Sequence, residues 1–286
     1  MQYCLLYVLF LLTFTQLLRY ALIRGSGVFV VSAVNYVAAA LLAAVLLVGL
    51  WGQVPAHGRW LGAAMGATTG VLYFLNLLVM LVAYRQVGVG ITSALAGMGI
   101  VIPVLVSWYA WGEPMTVARW AAVAMLLPAV VLMRPHAKAR RPLSLKGDVV
   151  LLLVFLIPGT VGTIHKSVSV YIPQTAHPVY QSVLYQSALF AAAAVVSVGY
   201  VWARRLEYDR NSVALGSILG TANVLATLFV LLALGSMRAV ILYPTSSSLM
   251  IGCSVVVSWI LWGERVTVRQ VAGLCLAVGV VVLCNV

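Results

Sequence analysis

His165 and Lys166 are the first residues in this chain with an evident capacity for chemistry. They are adjacent ionisable side chains deep in an apolar run that begins at Val149, shortly after Pro158, Gly159 and Gly162, which loosen a helix. Ionisable groups at membrane depth are costly and tend to mark binding sites or ion paths. A lysine there could hold a carboxylate, and an imidazole could donate or accept a hydrogen bond. The alternative is that the helix ends near Ile164 and Lys166 reaches the surface on its long stem. The first apolar run, with Thr13, Thr15, Gln16 and Arg19, ends in the same manner and fits that alternative.

Other polar residues fall at helical spacing inside apolar runs. Gly66, Thr69, Tyr73 and Asn76 form one stripe, and Ser217, Gly220 and Thr227, with Asn223 nearby, form a second. Ser32, Asn35 and Tyr36 group together, and Gln181 with Tyr185 and Ser182 with Gln186 are pairs four apart. An amide left unbonded in hydrocarbon costs on the order of several kcal/mol, so these groups must face one another or water. The substrate-binding candidates are therefore Gln16, Asn35, Tyr36, Tyr73, Asn76, His165, Lys166, Gln181, Tyr185, Gln186, Asn223 and Tyr243. For Gly66, Ser217 and Gly220 the competing role is close helix packing, because small residues let backbones approach.

The acidic residues, Glu113, Asp148, Glu207, Asp209 and Glu264, all fall at predicted helix ends or in connections. With no carboxylate at mid-membrane, paired-carboxylate catalysis, acidic metal sites and proton-coupled export of cations lose their chemistry. Glu113 and Glu264 are expected to cap the helices that follow them. Cys4, Cys253, Cys275 and Cys284 sit in apolar stretches without ligand spacing and read as small apolar fillers. No metal, no cofactor and no enzymatic activity is expected.

The elements that must position these residues follow from composition. The 286 residues are 64% hydrophobic and 8% charged, with a mean hydropathy of +1.10, which excludes soluble, disordered and secreted disulfide classes. The +12 net charge lies mostly between apolar runs and needs no nucleic-acid partner. A membrane helix needs about 20 apolar residues, and ten runs qualify: 2–23, 28–51, 60–84, 87–111, 115–133, 149–170, 178–202, 213–237, 239–262 and 266–286. The first has no basic residue before Arg19 and is read as a retained span. Connections after odd-numbered spans hold 13 of the 17 Lys and Arg. That bias predicts a multi-pass protein of the cell membrane, inner or plasma, with odd connections cytoplasmic and both termini on the non-cytoplasmic side.

The chain also repeats. Shifted by 151 residues, 106–132 and 257–283 share 12 identities over 27 positions, among them Trp111-Gly112-Glu113 with Trp262-Gly263-Glu264, and Thr116 with Thr267. The same register pairs Asn35 with Gln186 and Trp51 with Trp202. The expected organisation is a first five-helix repeat at 1–134, a basic connection at 135–148 and a second five-helix repeat at 149–286. Five is odd, so the second unit enters the membrane inverted, an arrangement suited to a cavity at the seam that opens alternately to either side.

The doubled Trp-Gly-Glu turn, the ten spans and the 5+5 duplication resemble the drug/metabolite transporter superfamily, EamA type. The resemblance covers the whole chain and implies an all-α integral membrane protein of two inverted five-helix repeats around a central cavity, working by alternating access. The family's proline about a dozen residues before each signature glutamate has only Pro103 and the more distant Pro244 as counterparts, so kinks in the fourth and ninth spans should differ. The arginine common early in the second span is replaced here by Asn35 and Tyr36.

A neutral-to-basic lining favours a small zwitterionic, anionic or neutral metabolite, such as an amino acid, and the resemblance tilts the direction toward export. The alternatives are a flippase for a lipid-linked sugar or phosphate and, with no nucleophile in view, a membrane-embedded enzyme. The expected partners are a small-molecule substrate and the lipid bilayer, with the chain a monomer or a homodimer. Ala121, Ala122, Gly273 and Gly279 in the last span of each repeat suit either a dimer or packing within one chain.

Overall fold

Long runs of Leu, Val and Ala without polar breaks leave the backbone one way to pair its own N–H and C=O groups, the α-helix. The computed structural model of the chain describes residues 1–53, 58–87, 89–133, 145–172, 179–263 and 267–285, which are helical or in turns, with no strand among them. The helices are α1 (Gln2–Ile23), α2 (Val28–Leu50), α3 (Arg59–Val87), α4 (Val89–Met98), α5 (Val101–Trp111), α6 (Val117–Met133), α7 (Leu145–Tyr171), α8 (Val179–Ala203), α9 (Arg210–Ser236), α10 (Ala239–Trp262) and α11 (Val268–Asn285). Seven of these, α1, α2, α3, α7, α8, α9 and α10, are long and apolar enough to cross a membrane. The chain is a multi-pass, all-helical membrane protein.

One expected span, 87–111, is divided. Pro103 has no N–H, and its ring crowds the carbonyl four residues earlier, which is Gly99. The helix stops at Met98, Ile102 N–H turns back to the Gly99 carbonyl at 3.0 Å, and α5 starts afresh at Val101. Pro244, five residues beyond the start of α10, forgoes the one bond to the Val240 carbonyl, and α10 stays continuous. The two prolines thus act differently, as their unequal spacing predicts.

The chain forms two compact units. Unit 1 comprises Met1–Phe74 and Ile164–Ser236; unit 2 comprises Leu75–Thr163 and Met237–Val286. Each draws on both halves of the sequence. In unit 1, α2 packs against α8 and α9, and α1 against α9. Its apolar clusters include Ala21, Val31 and Leu219, and separately Val30, Ala33 and Val201. In unit 2, α6 packs on α11 through Ala122, Leu126, Val280 and Cys284, with Met125 close to Gly279. Ala122 and Gly279 therefore serve packing within one chain.

The Trp-Gly-Glu turn is a helix stop. Gly112 and Gly263 both adopt φ 63°, the left-handed conformation that glycine takes most easily. Gly112 closes α5, and Glu113 N–H donates to the Ser107 carbonyl at 3.1 Å. The expected role of Glu113 as cap of the following helix is corrected here. Thr116 Oγ1 accepts from Arg119 N–H at the start of α6. The buried Glu113 carboxylate instead accepts from the N–H groups of Ala239 at 3.1 Å and Val240 at 2.9 Å, capping α10. A buried helix start has no water for its free N–H groups, so a carboxylate from elsewhere in the chain supplies the acceptors. Glu264 lies outside the described residues, as does the side chain of Trp262.

Replacing Glu113 with Ala should cost about 2 kcal/mol, the upper end of N-cap losses, and Glu113→Gln, which keeps one acceptor, should cost less. Thermal unfolding in detergent measures both, and an unchanged midpoint for Glu113→Ala would remove the cap from the stability of α10.

Candidate functional site

The polar residues of unit 1 meet because four glycines let helix backbones touch. On α9, a methyl at Gly216 would stand 2.8 Å from the Val31 carbonyl, and one at Gly220 2.6 Å from the Asn35 carbonyl, both on α2. On α3, a methyl at Gly66 or Gly70 would collide with the Tyr185 or Leu189 carbonyl of α8. Packing is thus the role of Gly66 and Gly220. Ser217 is exposed and returns its hydroxyl to the Val213 carbonyl, while its neighbour Gly216 makes the contact.

This close approach fixes the cluster. Tyr185 is fully buried and donates its hydroxyl to Thr69 Oγ1 at 2.9 Å, joining α8 to α3. Asn223 Nδ2 donates to Asn35 Oδ1 at 3.3 Å, joining α9 to α2. Tyr73 is hydrogen-bonded to Thr227, and its ring lies 6.5 Å from that of Tyr36. Ser187 Oγ donates to the Ala43 carbonyl at 2.9 Å, a further bond between α8 and α2.

Helix α7 continues past Ile164 to Tyr171, and both His165 and Lys166 are buried, at 7% and 8% exposure. Gly159 and Gly162, expected to loosen this helix, are packing positions in unit 2. A methyl at Gly159 would meet the Gly99 carbonyl at 2.7 Å, and one at Gly162 would meet Pro103 at 3.0 Å. The His165 ring stands edge-on to Tyr185 with centroids 5.8 Å apart. Ser169 Oγ donates to the Lys166 carbonyl at 2.8 Å.

Two buried polar atoms of the cluster, His165 Nε2 and Gln186 Oε1, have no hydrogen-bond partner among the described residues. Gln186 is 2% exposed. Asn35, 151 residues earlier in the sequence, is bonded to Asn223, so the two amides stand in different states. A desolvated acceptor without a donor is expensive unless something else supplies one.

Among the sequence candidates, unit 1 gathers Asn35, Tyr36, Tyr73, His165, Lys166, Tyr185, Gln186 and Asn223. Gln16 is also in unit 1, half-buried on α1. Asn76 and Tyr243 belong to unit 2. The Asn76 Oδ1 lacks a partner among the described residues, and the Tyr243 hydroxyl donates to the Gly162 carbonyl, tying α10 to α7. The side chain of Gln181 lies outside the described residues. Sequence reasoning passed over Ser187 as a tie between helices. It also passed over the buried hydroxyls of Thr245, Ser246 and Ser248 in unit 2, which an unbroken hydroxyl run after Pro244 in an apolar helix could have flagged.

Packing at the glycines gives a direct contrast. Gly220→Val should prevent recovery of monodisperse folded protein, whereas Gly199→Ala, at a position with nothing within 4 Å of the added carbon, should leave the thermal midpoint within about 2 °C of wild type. Gel filtration and thermal unfolding read both variants, and normal folding of Gly220→Val would refute the contact.

No protein-family model and no curated protein matches this chain. Among solved structures, one crystal structure, whose description names no function, superposes on 99% of this chain and 94% of its own with a TM-score of 0.77 at 13% identity, a likeness of fold alone.

Proposed function

We propose that this chain is an alternating-access secondary transporter of a small polar metabolite, an EamA-type member of the drug/metabolite transporter superfamily with ten spans in two inverted five-helix repeats. The observation that carries the reading is the pair of unsatisfied buried groups, His165 Nε2 and Gln186 Oε1, within a polar cluster of membrane-length helices. A site that binds and releases a polar solute needs hydrogen-bonding groups the protein itself does not satisfy. The seam between the two sequence halves runs through unit 1, where helices of the first half pack on helices of the second. The matching left-handed glycines at Gly112 and Gly263 support the repeat. In this reading the remaining three spans are the shorter apolar stretches Leu95–Trp111, Val117–Ala129 and Val271–Cys284, which fall short of the seven long helices in length.

The chemistry of the cluster selects the substrate class. The acidic residues of unit 1 are Glu207 and Asp209, both exposed at a helix connection. Its buried groups are amides, hydroxyls, an imidazole and a lysine. Such a lining accepts a neutral, anionic or zwitterionic solute and offers a bare cation no counter-charge. We place the protein in the cell membrane, with export as the direction the family resemblance implies.

Uptake of a metabolite panel into proteoliposomes tests the proposal. Gln186→Leu removes an unsatisfied acceptor and should leave the thermal midpoint unchanged or higher, while lowering transport about tenfold or more, the equivalent of one lost hydrogen bond of about 1.4 kcal/mol. Full transport by Gln186→Leu would take this cluster out of the substrate path.

A further inference from the structure

Two helices of unit 1 end in the same way at the same end of the unit. At the close of α1, Ser26 N–H donates to the Ala21 carbonyl at 3.1 Å with Gly25 at φ 73°, and the Arg24 guanidinium lies 5.1 Å from the Tyr20 ring centre. At the close of α8, Leu206 N–H donates to the Val201 carbonyl at 3.0 Å with Arg205 at φ 51°, and Arg204 lies 5.6 Å from the Tyr200 ring centre. The two ends are neighbours. Ala21, Val31 and Leu219 form one cluster, Val30, Ala33 and Val201 another, and the Phe29 ring lies tilted against Tyr200 with centroids 4.8 Å apart.

The position that glycine fills in the first turn is filled by an arginine in the second. Arg205 is the one non-glycine residue with positive φ among the described residues, a conformation disfavoured for any residue with a Cβ and retained where it serves something else. Arg204 precedes it, Arg210 opens α9 five residues later, and Arg24 lies on the neighbouring α1 turn, all four exposed. Of the nearby acids, Asp209 is committed to α9, its Oδ2 accepting from Ser212 N–H at 2.9 Å, while Glu207 is exposed. Large apolar side chains are exposed at the same level: Ile23, Trp202 and Tyr208. Guanidinium groups beside exposed apolar and aromatic side chains match the depth of lipid headgroups, where phosphate meets acyl chain.

We propose that this end of unit 1 is a binding site for the phosphate of an anionic lipid headgroup, held by Arg24, Arg204, Arg205 and Arg210. The phosphate takes the fork-like donors of arginine, and the acyl chains cover Ile23 and Trp202. A dissolved anion would make the first contact and not the second. The other end of α2 carries Arg59 against Trp51 at 4.7 Å and has no such cluster among the described residues.

The full chain in detergent, titrated with phosphatidylglycerol or phosphatidylcholine and read by native mass spectrometry and thermal unfolding, tests the site. Wild type should retain phosphatidylglycerol over phosphatidylcholine. Arg204→Gln with Arg205→Gln should weaken that binding about fivefold for each charge removed, and Arg59→Gln should leave it unchanged. Arg205→Gly keeps the backbone turn, so its midpoint without added lipid should equal or exceed that of wild type while its phosphatidylglycerol affinity falls. Undiminished affinity in the double variant, an equal loss in Arg59→Gln, a lowered midpoint in Arg205→Gly or displacement of the lipid by inorganic phosphate would each overturn the proposal.

Discussion

Backbone contact between helices at glycine is the constraint on which the polar cluster depends. Gly216 and Gly220 set α9 against α2, and Gly66 and Gly70 set α3 against α8. With lipid tails as apolar as the side chains, helices in a bilayer gain little from burying leucine against leucine and associate through close packing and interhelical hydrogen bonds. Here the first permits the second. Only at such short separation can Tyr185 reach Thr69 and Asn223 reach Asn35. A bulkier residue at any of these four positions would separate the helices and leave several polar groups unsatisfied together.

Helix ends obey the same rule of internal satisfaction. The left-handed glycine at 112 closes α5 and projects Glu113 to the free N–H groups of α10. Pro103 breaks the backbone ladder, and Gly99 and Ile102 close the gap with a shorter turn that Gly159 can approach. These interruptions of helices in unit 2 are thus met by a nearby acceptor or glycine, although Asn76 Oδ1, Gln86 Oε1, Arg119 Nε and three buried hydroxyls of that unit have no partner among the described residues.

Unit 1 also holds unsatisfied buried atoms, and two of them belong to its polar cluster. Asn35 and Gln186 lie 151 residues apart, the same offset as the two Trp-Gly-Glu turns, yet one amide is bonded and the other holds an acceptor without a partner among the described residues. His165 is similar, with its ring edge-on to Tyr185 and Nε2 without a partner among the described residues. Both groups lie in unit 1, where α2 and α3 of the first half pack on α8 and α9 of the second.

The sequence alone determined that the chain is helical and lives in a membrane, because hydropathy and run length depend on local composition. It also located the Trp-Gly-Glu turns, since a left-handed stop needs glycine at a set place, and it selected most members of the unit 1 cluster, since polar residues in apolar runs are conspicuous. Tertiary structure decided the rest. Whether Lys166 was buried or surface-reaching, whether Gly66 lined a cavity or packed, and which helix Glu113 caps all turn on partners more than a hundred residues away or on how far a helix continues. Tyr243 shows the limit: its type and depth made it a binding candidate, and only the proximity of the Gly162 carbonyl reveals a tie between helices. Periodicity tells which residues share a helix face, but it carries no record of what that face will meet.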